Sequence, residues 1–136
     1  MGTPDAIELG KKGIWMKKVL YVEDSRDTAE AVRLILGNAG IETDIANDGK
    51  EGLGKAKEKQ YHLVLLDVML PDMSGWDIYD SLRKSNYSAK FAFISGIPIS
   101  NERFGELKNK GVCDYIMKPF KAEEFVSRMK KIVDSD

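Results

Sequence analysis

Hydrophobic positions along the chain follow two periods, one typical of strands and one typical of helices. From Lys17 onward, five short apolar segments are separated by segments in which apolar residues recur every three or four positions. The predicted strands are residues 17–22, 41–45, 62–66, 91–95 and 114–117, and the predicted helices are residues 28–39, 48–59, 74–84, 101–110 and 122–133. Regular alternation of strands and helices predicts an α/β fold, in which a parallel sheet carries helices on both faces.

Local signals support these boundaries. Asp27 and Glu30 form a capping-box pattern at the start of the first helix, and Asp48 and Glu51 form another at the start of the second. Polar and apolar residues alternate over residues 41–45, which is typical of an edge strand with one face in water. No internal repeat is found, so one domain is predicted over residues 16–134.

Residues with site chemistry stand where four of the predicted strands end. Asp67 follows one apolar strand, and Glu23 and Asp24 follow another. Ser95 closes a third strand, and Lys118 directly follows a fourth. Open α/β sheets bind ligands at the carboxyl edge of their strands. If these strands are neighbours, three carboxylates, one ammonium and one hydroxyl meet at one place.

Such a cluster suits a divalent metal ion and a phosphoryl group. Each pair of carboxylates at about 4–5 Å costs roughly 3–4 kcal/mol at an effective dielectric near 20, so protons or a cation must relieve the repulsion. Mg²⁺ prefers oxygen ligands and keeps several waters, so a few carboxylates suffice to hold it. An aspartate can accept a phosphoryl group as an acyl phosphate, and a lysine can balance the phosphoryl charge.

Each of these residues also has an ordinary structural interpretation. An acid at the end of a strand is commonly a turn or N-cap residue, which applies to Asp67 and to the pair Glu23 and Asp24. Lys118 and Ser95 both precede turn-forming residues and are compatible with simple turns. The coincidence of all of them at one sheet edge favours the site.

Composition excludes several classes of protein. The chain has 136 residues, 43% of them hydrophobic, and a net charge of −1, which is typical of one soluble domain without bulk charge for nucleic acid or an anionic membrane. Its single cysteine, Cys113, excludes an internal disulfide and fits a reducing cytoplasm. No apolar run approaches the roughly 18 residues of a membrane span. Residues 1–15 lack a signal-peptide core and are predicted to be a flexible leader, either native or a remnant of cloning.

Four segments together resemble the motif series of response-regulator receiver domains, the switch modules of bacterial and archaeal two-component systems. They are residues 22–25 (VEDS), 65–75 (LLDVMLPDMSG), 94–96 (ISG) and 114–120 (DYIMKPF). The similarity agrees in order and spacing and covers about residues 17–133. It implies a flavodoxin-like (βα)5 fold, a three-layer sandwich whose parallel sheet has the strand order 2-1-3-4-5.

The resemblance implies a metal site made of carboxylates and one backbone carbonyl. Asp67 corresponds to the phosphoacceptor and is also a metal ligand, and Asp24 corresponds to the second direct carboxylate ligand. Glu23 corresponds to the acid that reaches the metal through water. Met69 stands where the backbone carbonyl, rather than the side chain, binds the metal. The implied cofactor is Mg²⁺ or Mn²⁺.

The resemblance also implies residues for catalysis and switching. Lys118 and Ser95 correspond to the catalytic lysine and hydroxyl beside the phosphoacceptor, and Ser95 is also the switch hydroxyl. Tyr115 corresponds to the switch aromatic, which turns inward when the acceptor is phosphorylated. Pro98 lies in the loop after Ser95 and is expected to stiffen it.

The implied function is signalling, with catalysis limited to the protein's own phosphorylation and dephosphorylation. The expected phosphodonor is a sensor histidine kinase or a phosphotransfer protein. The expected output is a protein target at the face of the fourth helix, fifth strand and fifth helix, or a phosphorelay. A cytoplasmic location is expected, with no direct contact with nucleic acid and no membrane insertion. We expect a stand-alone receiver, or one cut from a longer protein, because no DNA-binding segment is recognised after Val133.

Two functions from other classes compete with this interpretation. A haloacid-dehalogenase-like phosphatase also phosphorylates an aspartate, but it needs a second aspartate two residues after the nucleophile, where this chain has Met69. A receiver-like interaction module that is not regulated by phosphorylation would typically lack Asp24, Asp67 or Lys118, and all three are present.

Overall fold

A computed structural model describes residues 17–135 of the chain as five strands and five helices in strict alternation. The elements are β1 (Lys17–Val22), α1 (Arg26–Asn38), β2 (Ile41–Ala46), α2 (Gly49–Glu58), β3 (Leu63–Asp67), α3 (Gly75–Lys84), β4 (Lys90–Ser95), α4 (Asn101–Asn109), β5 (Val112–Met117) and α5 (Ala122–Asp134). The predicted leader, residues 1–15, and the predicted first residue of the domain lie outside the described residues.

All five strands are parallel, in the order β2-β1-β3-β4-β5. The predicted α/β flavodoxin-like fold with the order 2-1-3-4-5 is therefore confirmed. The central strand β3 is buried at every position, as a strand covered by helices on both faces must be. At the edge of the sheet, β2 alternates between buried and half-buried residues from Ile41 to Asp44, as its sequence predicted, whereas Ile45 is only half-buried.

The two faces of the sheet contribute to two separate hydrophobic cores. Successive side chains of a strand point to opposite faces, so Leu63 and Leu65 join one core while Val64 and Leu66 join the other. The first core also holds the buried faces of α1 and α5, and the second holds those of α2, α3 and α4. No helix in residues 17–135 is long and apolar enough to cross a membrane.

The start of the first helix was predicted wrongly. The N-cap of α1 is Ser25, whose hydroxyl accepts a hydrogen bond from the Thr28 backbone N–H, and the predicted cap Asp27 lies inside the first turn. There the negative charge of Asp27 interacts favourably with the positive end of the helix dipole. The N-cap Asp48 of α2 is confirmed, although Glu51 accepts from the Asn47 backbone N–H rather than completing a capping box.

Most other boundaries agree within one or two residues. The largest difference is at β5, which begins at Val112 rather than at residue 114. Phe91 pairs with Val112 and the next residue, Ala92, pairs with Asp114. Cys113 is therefore an extra residue in the strand, and such bulges escape a simple alternating pattern. Asp67 is the last residue of β3, so the strand itself carries it to the sheet edge.

Candidate functional site

The three predicted carboxylates meet at the carboxyl edge of the sheet. Glu23 directly follows β1 and is 1% exposed, Asp67 ends β3 and is 7% exposed, and Asp24 is open to solvent. One carboxylate oxygen from each of these residues lies within 4.8 Å of the others. They meet because β1 and β3 are neighbours in register, with Val22 paired to Leu66.

Glu23 is held firmly by hydrogen bonds to both of its carboxylate oxygens. The Tyr21 hydroxyl donates to Oε1 at 2.7 Å, and the Ser25 backbone N–H donates to Oε2 at 3.2 Å. The backbone N–H of Glu23 donates to the Ala46 carbonyl at 2.9 Å, which continues the β1–β2 ladder past the end of the strand. A buried carboxylate is tolerated only when it is bonded in this way.

Lys118 reaches across the sheet edge and joins the two buried carboxylates. Its Nζ lies 2.7 Å from Glu23 Oε1 and 3.2 Å from Asp67 Oδ2. Its backbone N–H donates to the Ser95 carbonyl at 2.9 Å, which fixes where the side chain begins. The Lys118–Pro119 peptide bond is cis.

The charges of this cluster shift each other's protonation in different directions. Burial and the Glu23 carboxylate raise the pKa of Asp67 above its ordinary value of 3.8, and Lys118 offsets this only in part. Burial also tends to raise the pKa of Glu23, but hydrogen bonds from Lys118 and Tyr21 outweigh it and lower that pKa. Burial tends to lower the pKa of Lys118, yet Glu23 and Asp67 together raise it. Of the two buried carboxyls, Asp67 is thus the one whose charge the protein disfavours.

The loop after β3, residues 68–74, closes tightly on itself. The Met69 backbone N–H donates to Asp67 Oδ1 at 3.2 Å, and Met69 forms an isolated antiparallel bridge with Ser74. The Gly75 N–H donates to the Val68 carbonyl at 2.8 Å. A Cβ at Gly75 would lie 2.3 Å from the Asp67 carbonyl oxygen, so only glycine permits this close approach. Met69 is 67% exposed, so its side chain lies in solvent, whereas its backbone takes part in the bridge with Ser74.

Ser95 and Tyr115 are connected through the loop after β4. The Ser95 hydroxyl is buried and accepts a hydrogen bond from the Ile97 backbone N–H at 3.0 Å. The Tyr115 hydroxyl donates to the carbonyl of the same Ile97. The Tyr115 ring is 6% exposed and stacks on Trp76, with ring centroids 6.3 Å apart. The ring therefore lies inward in this structure.

Three contributors to this region were missed by the sequence analysis. Tyr21 could have been found, because residues two apart in a strand share a face and Tyr21 precedes Glu23 by two. Burial and the Glu23 carboxylate raise the pKa of Tyr21, so its hydroxyl keeps the proton that it donates. Trp76 of α3 was not singled out, but its ring stacks on that of the predicted switch residue Tyr115. No local sequence pattern pointed to Asp72, because its hydrogen-bond donors Lys50 and Gly49 lie 22 and 23 residues away in the chain.

Comparison with known proteins gives one consistent result. The family model described as "Response regulator receiver domain" matches residues 19–130. The transcriptional regulatory protein PcoR of Escherichia coli is 35% identical over 118 residues, which cover 87% of this chain and 52% of the relative. The response regulator ArlR of Staphylococcus saprophyticus is 36% identical and is covered to 53%. The chain thus spans about half the length of these curated relatives.

Solved structures agree with the sequence relatives. A CheY-like receiver domain protein from Methanospirillum hungatei has a TM-score of 0.77 and 30% identity, covering 88% of this chain and 94% of its own. The response regulator TrrA from Thermotoga maritima, in complex with Mg²⁺-BeF, has a TM-score of 0.73 and 29% identity, and the match covers 86% of this chain and 99% of TrrA. Because the family model spans most of the chain and the fold agrees, this chain belongs to the response regulator receiver domain family.

Proposed function

We propose that this receiver domain is a phosphorylation-dependent switch in which Asp67 accepts a phosphoryl group. The observation that carries this proposal is the arrangement around Asp67: its carboxylate lies at the sheet edge within 4.8 Å of two further acids and 3.2 Å from the Lys118 ammonium. The donor is a phosphohistidine of a sensor histidine kinase or a phosphotransfer protein. The response regulators among its relatives support this class of partner.

The acidic cluster fits a resident Mg²⁺ or Mn²⁺. Three close carboxylates repel one another unless a cation relieves them, and both ions prefer oxygen ligands. Asp24, Asp67 and the Met69 carbonyl would bind the ion directly. Glu23 would reach it through water, because both of its oxygens already accept hydrogen bonds within the protein. The bound ion would neutralise the cluster and orient the phosphoryl oxygens.

In the transfer step, a carboxylate oxygen of Asp67 attacks the phosphorus of phosphohistidine. A P–O bond forms on Asp67 as the P–N bond breaks, and the imidazole nitrogen keeps that electron pair and takes up a proton from solvent. The Lys118 ammonium balances charge on the phosphoryl oxygens, and the Ser95 hydroxyl donates a hydrogen bond to one of them. In dephosphorylation, a water oxygen attacks phosphorus as the P–O bond to Asp67 breaks. The Asp67 carboxylate leaves with that electron pair, and the protons of the water pass to the released phosphate and to solvent.

The signal leaves through the surface formed by α4, β5 and α5. When Ser95 turns its hydroxyl to the phosphoryl group, the hydrogen bond that this hydroxyl accepts from the Ile97 N–H is broken. The Tyr115 hydroxyl holds the carbonyl of the same residue. The loop between β4 and α4 can then move, and this biases an existing equilibrium. We propose a protein partner at this surface, or a phosphorelay, and no direct nucleic-acid contact by residues 17–135.

Mass spectrometry of the intact protein tests the acceptor. Incubation of the full chain with acetyl phosphate and Mg²⁺ is expected to add one phosphoryl group. Asp67→Asn keeps the side-chain volume and loses the nucleophilic oxygen, so no addition is expected. Asp80→Asn, a matched change at an exposed aspartate of α3, is expected to leave the addition intact. Phosphorylation of Asp67→Asn, or full phosphorylation in excess EDTA, would contradict the proposal.

A second candidate function is a receiver-like interaction module that phosphorylation does not regulate. Its output surface would be preset, with Tyr115 held inward by its hydrogen bond to the Ile97 carbonyl. NMR spectra recorded with Mg²⁺ and beryllofluoride separate the two functions. A regulated switch is expected to shift the amides of residues 97–110, whereas a preset module is expected to leave them unchanged.

A further inference from the structure

Asp72 joins the loop after Asp67 to the beginning of α2. Its Oδ1 accepts a hydrogen bond from the Gly49 N–H at 2.8 Å, and its Oδ2 accepts from the Lys50 N–H at 2.9 Å. These donors belong to the first two residues of the helix and have no carbonyl partner within it. The N-cap Asp48 takes a different donor, the Glu51 N–H at 2.8 Å. Two aspartates thus share the capping of one helix end, and only Asp72 comes from outside the helix.

A second contact holds the same two segments together. A Cβ at Gly49 would lie 2.3 Å from Met73 Cγ and 2.6 Å from its Sδ. Met73, the neighbour of Asp72, therefore occupies the space that any other side chain at position 49 would need. Loop and helix meet through two charge-assisted hydrogen bonds and one close apolar contact.

The hydrogen bonds of Asp72 act on the exposed tip of the turn. Pro71 and Asp72 are exposed, whereas the base of the loop is fixed by the Gly75 N–H on Val68 and by the bridge between Met69 and Ser74. Met69 belongs to this base, and its carbonyl is part of the peptide bond that leads into the exposed turn. The orientation of its carbonyl consequently depends on where the turn is held.

We propose that Asp72 is a positioning residue for the divalent metal: it holds the loop against α2 so that the Met69 carbonyl points into the acidic cluster. This inference rests on the proposed function, since it presumes a metal bound by Asp24, Asp67 and Met69. It adds a residue that touches neither metal nor phosphoryl group and that acts through the backbone of the loop.

Titration of the ¹⁵N-labelled full chain with MgCl₂, followed by NMR, tests this role. The Met69 and Asp67 amide shifts report the dissociation constant, and the spectrum also shows whether each variant is folded. Asp72→Ala is expected to raise the Mg²⁺ dissociation constant about tenfold, the lower end of the effect of groups that orient a metal ligand. Asp72→Asn keeps one acceptor oxygen and is expected to fall between wild type and Asp72→Ala.

Asp48→Ala is the matched control, because it removes the other carboxylate cap of the same helix end and leaves the loop untouched. We expect it to keep the dissociation constant within about twofold of wild type while lowering stability by an amount typical of a lost cap. At saturating Mg²⁺, the rate at which acetyl phosphate modifies Asp72→Ala is expected to return to within about twofold of wild type, because the acceptor and Lys118 are intact.

Three results would overturn the inference. An equal rise of the dissociation constant in Asp48→Ala and Asp72→Ala would assign the effect to α2 in general. An unchanged constant in Asp72→Ala, with wild type binding Mg²⁺, would remove the positioning role and leave the proposed function intact. Absence of Mg²⁺ binding by the wild type would overturn both.

Discussion

Replacing Asp67 by asparagine is expected to make the metal-free protein more stable. Asp67 is 7% exposed and its carboxylate lies beside Glu23, and both burial and this neighbour raise its pKa. At pH 7 the folded chain therefore holds a charge that its surroundings disfavour. Asparagine has nearly the same shape and can still accept the Met69 N–H that now bonds to Oδ1.

The size of the effect follows from two charge interactions and one desolvation cost. Oxygens of Asp67 and Glu23 lie within 4.8 Å, a repulsion of at least about 3.5 kcal/mol at an effective dielectric near 20. Lys118 lies 3.2 Å from Asp67, an attraction of about 5 kcal/mol on the same basis. The remaining attraction, below about 2 kcal/mol, is smaller than the several kcal/mol that burying an ion costs. We expect Asp67→Asn to raise the free energy of unfolding by about 1–3 kcal/mol.

The pH dependence has a definite sign. Because the pKa of Asp67 is higher in the folded protein than in the unfolded chain, its protonated form favours folding at acid pH. This contribution is complete below the ordinary value of 3.8 and is lost as the pH rises through the folded-state pKa. The stability advantage of Asp67→Asn should accordingly be largest at neutral pH and shrink on acidification.

Urea unfolding followed by circular dichroism measures these differences. Melts at pH 7 in EDTA give the metal-free comparison. Asp80→Asn is the control, because that carboxylate is exposed and lies outside the acidic cluster, so it should change stability by less than about 0.5 kcal/mol. In saturating Mg²⁺ the wild type gains about 2.7 kcal/mol at 100 times its dissociation constant, so the advantage of the variant should vanish. A variant that is equally or less stable than wild type in EDTA would refute the reasoning.

Two further substitutions test the loops around Asp67. Gly75→Ala places a methyl group 2.3 Å from the Asp67 carbonyl oxygen. We therefore expect the free energy of unfolding in urea melts to fall by about 1–3 kcal/mol and phosphorylation to slow. Gly54→Ala is the control and should be tolerated, because nothing lies within 4 Å of the added methyl group. Ser95→Ala should keep the phosphoryl addition in intact mass but reduce the NMR shifts of residues 97–110 on adding Mg²⁺ and beryllofluoride. The reason is that the hydroxyl that accepts from the Ile97 N–H, and that we propose turns to the phosphoryl group, is lost; undiminished shifts would exclude this route.

Local patterns were sufficient to locate the strands and the acids at their ends. An apolar run that stops at a charged residue marks both the strand and the sheet edge, which is why Asp67, Glu23 and Lys118 were found together. The order of the strands was a different matter. Alternation of strands and helices allows several parallel orders, and the order 2-1-3-4-5 came from the resemblance to receiver domains.

Contacts between segments distant in the chain were not predictable from a single sequence. Asp72 reads as an ordinary turn residue, and only the folded chain brings it to the first turn of α2. The N-cap of α1 failed for a local reason, since Ser25 and Asp27 are both good capping residues and the capping-box pattern favoured the second. The inward position of Tyr115 depends on Trp76 and Ile97, which belong to two other segments.

The charges at the sheet edge explain why the fold supports a site that weakens it. Three carboxylates face a single ammonium, so the cluster carries a net charge of −2 when all are ionised. Lys118 lies closer to Glu23 than to Asp67, which leaves Asp67 the less compensated of the two buried acids. A divalent cation would supply the missing charge beside the carboxylate that we propose to be the nucleophile. The same imbalance that is expected to destabilise the metal-free domain would therefore favour metal binding at the proposed acceptor and would couple phosphorylation to the presence of the ion.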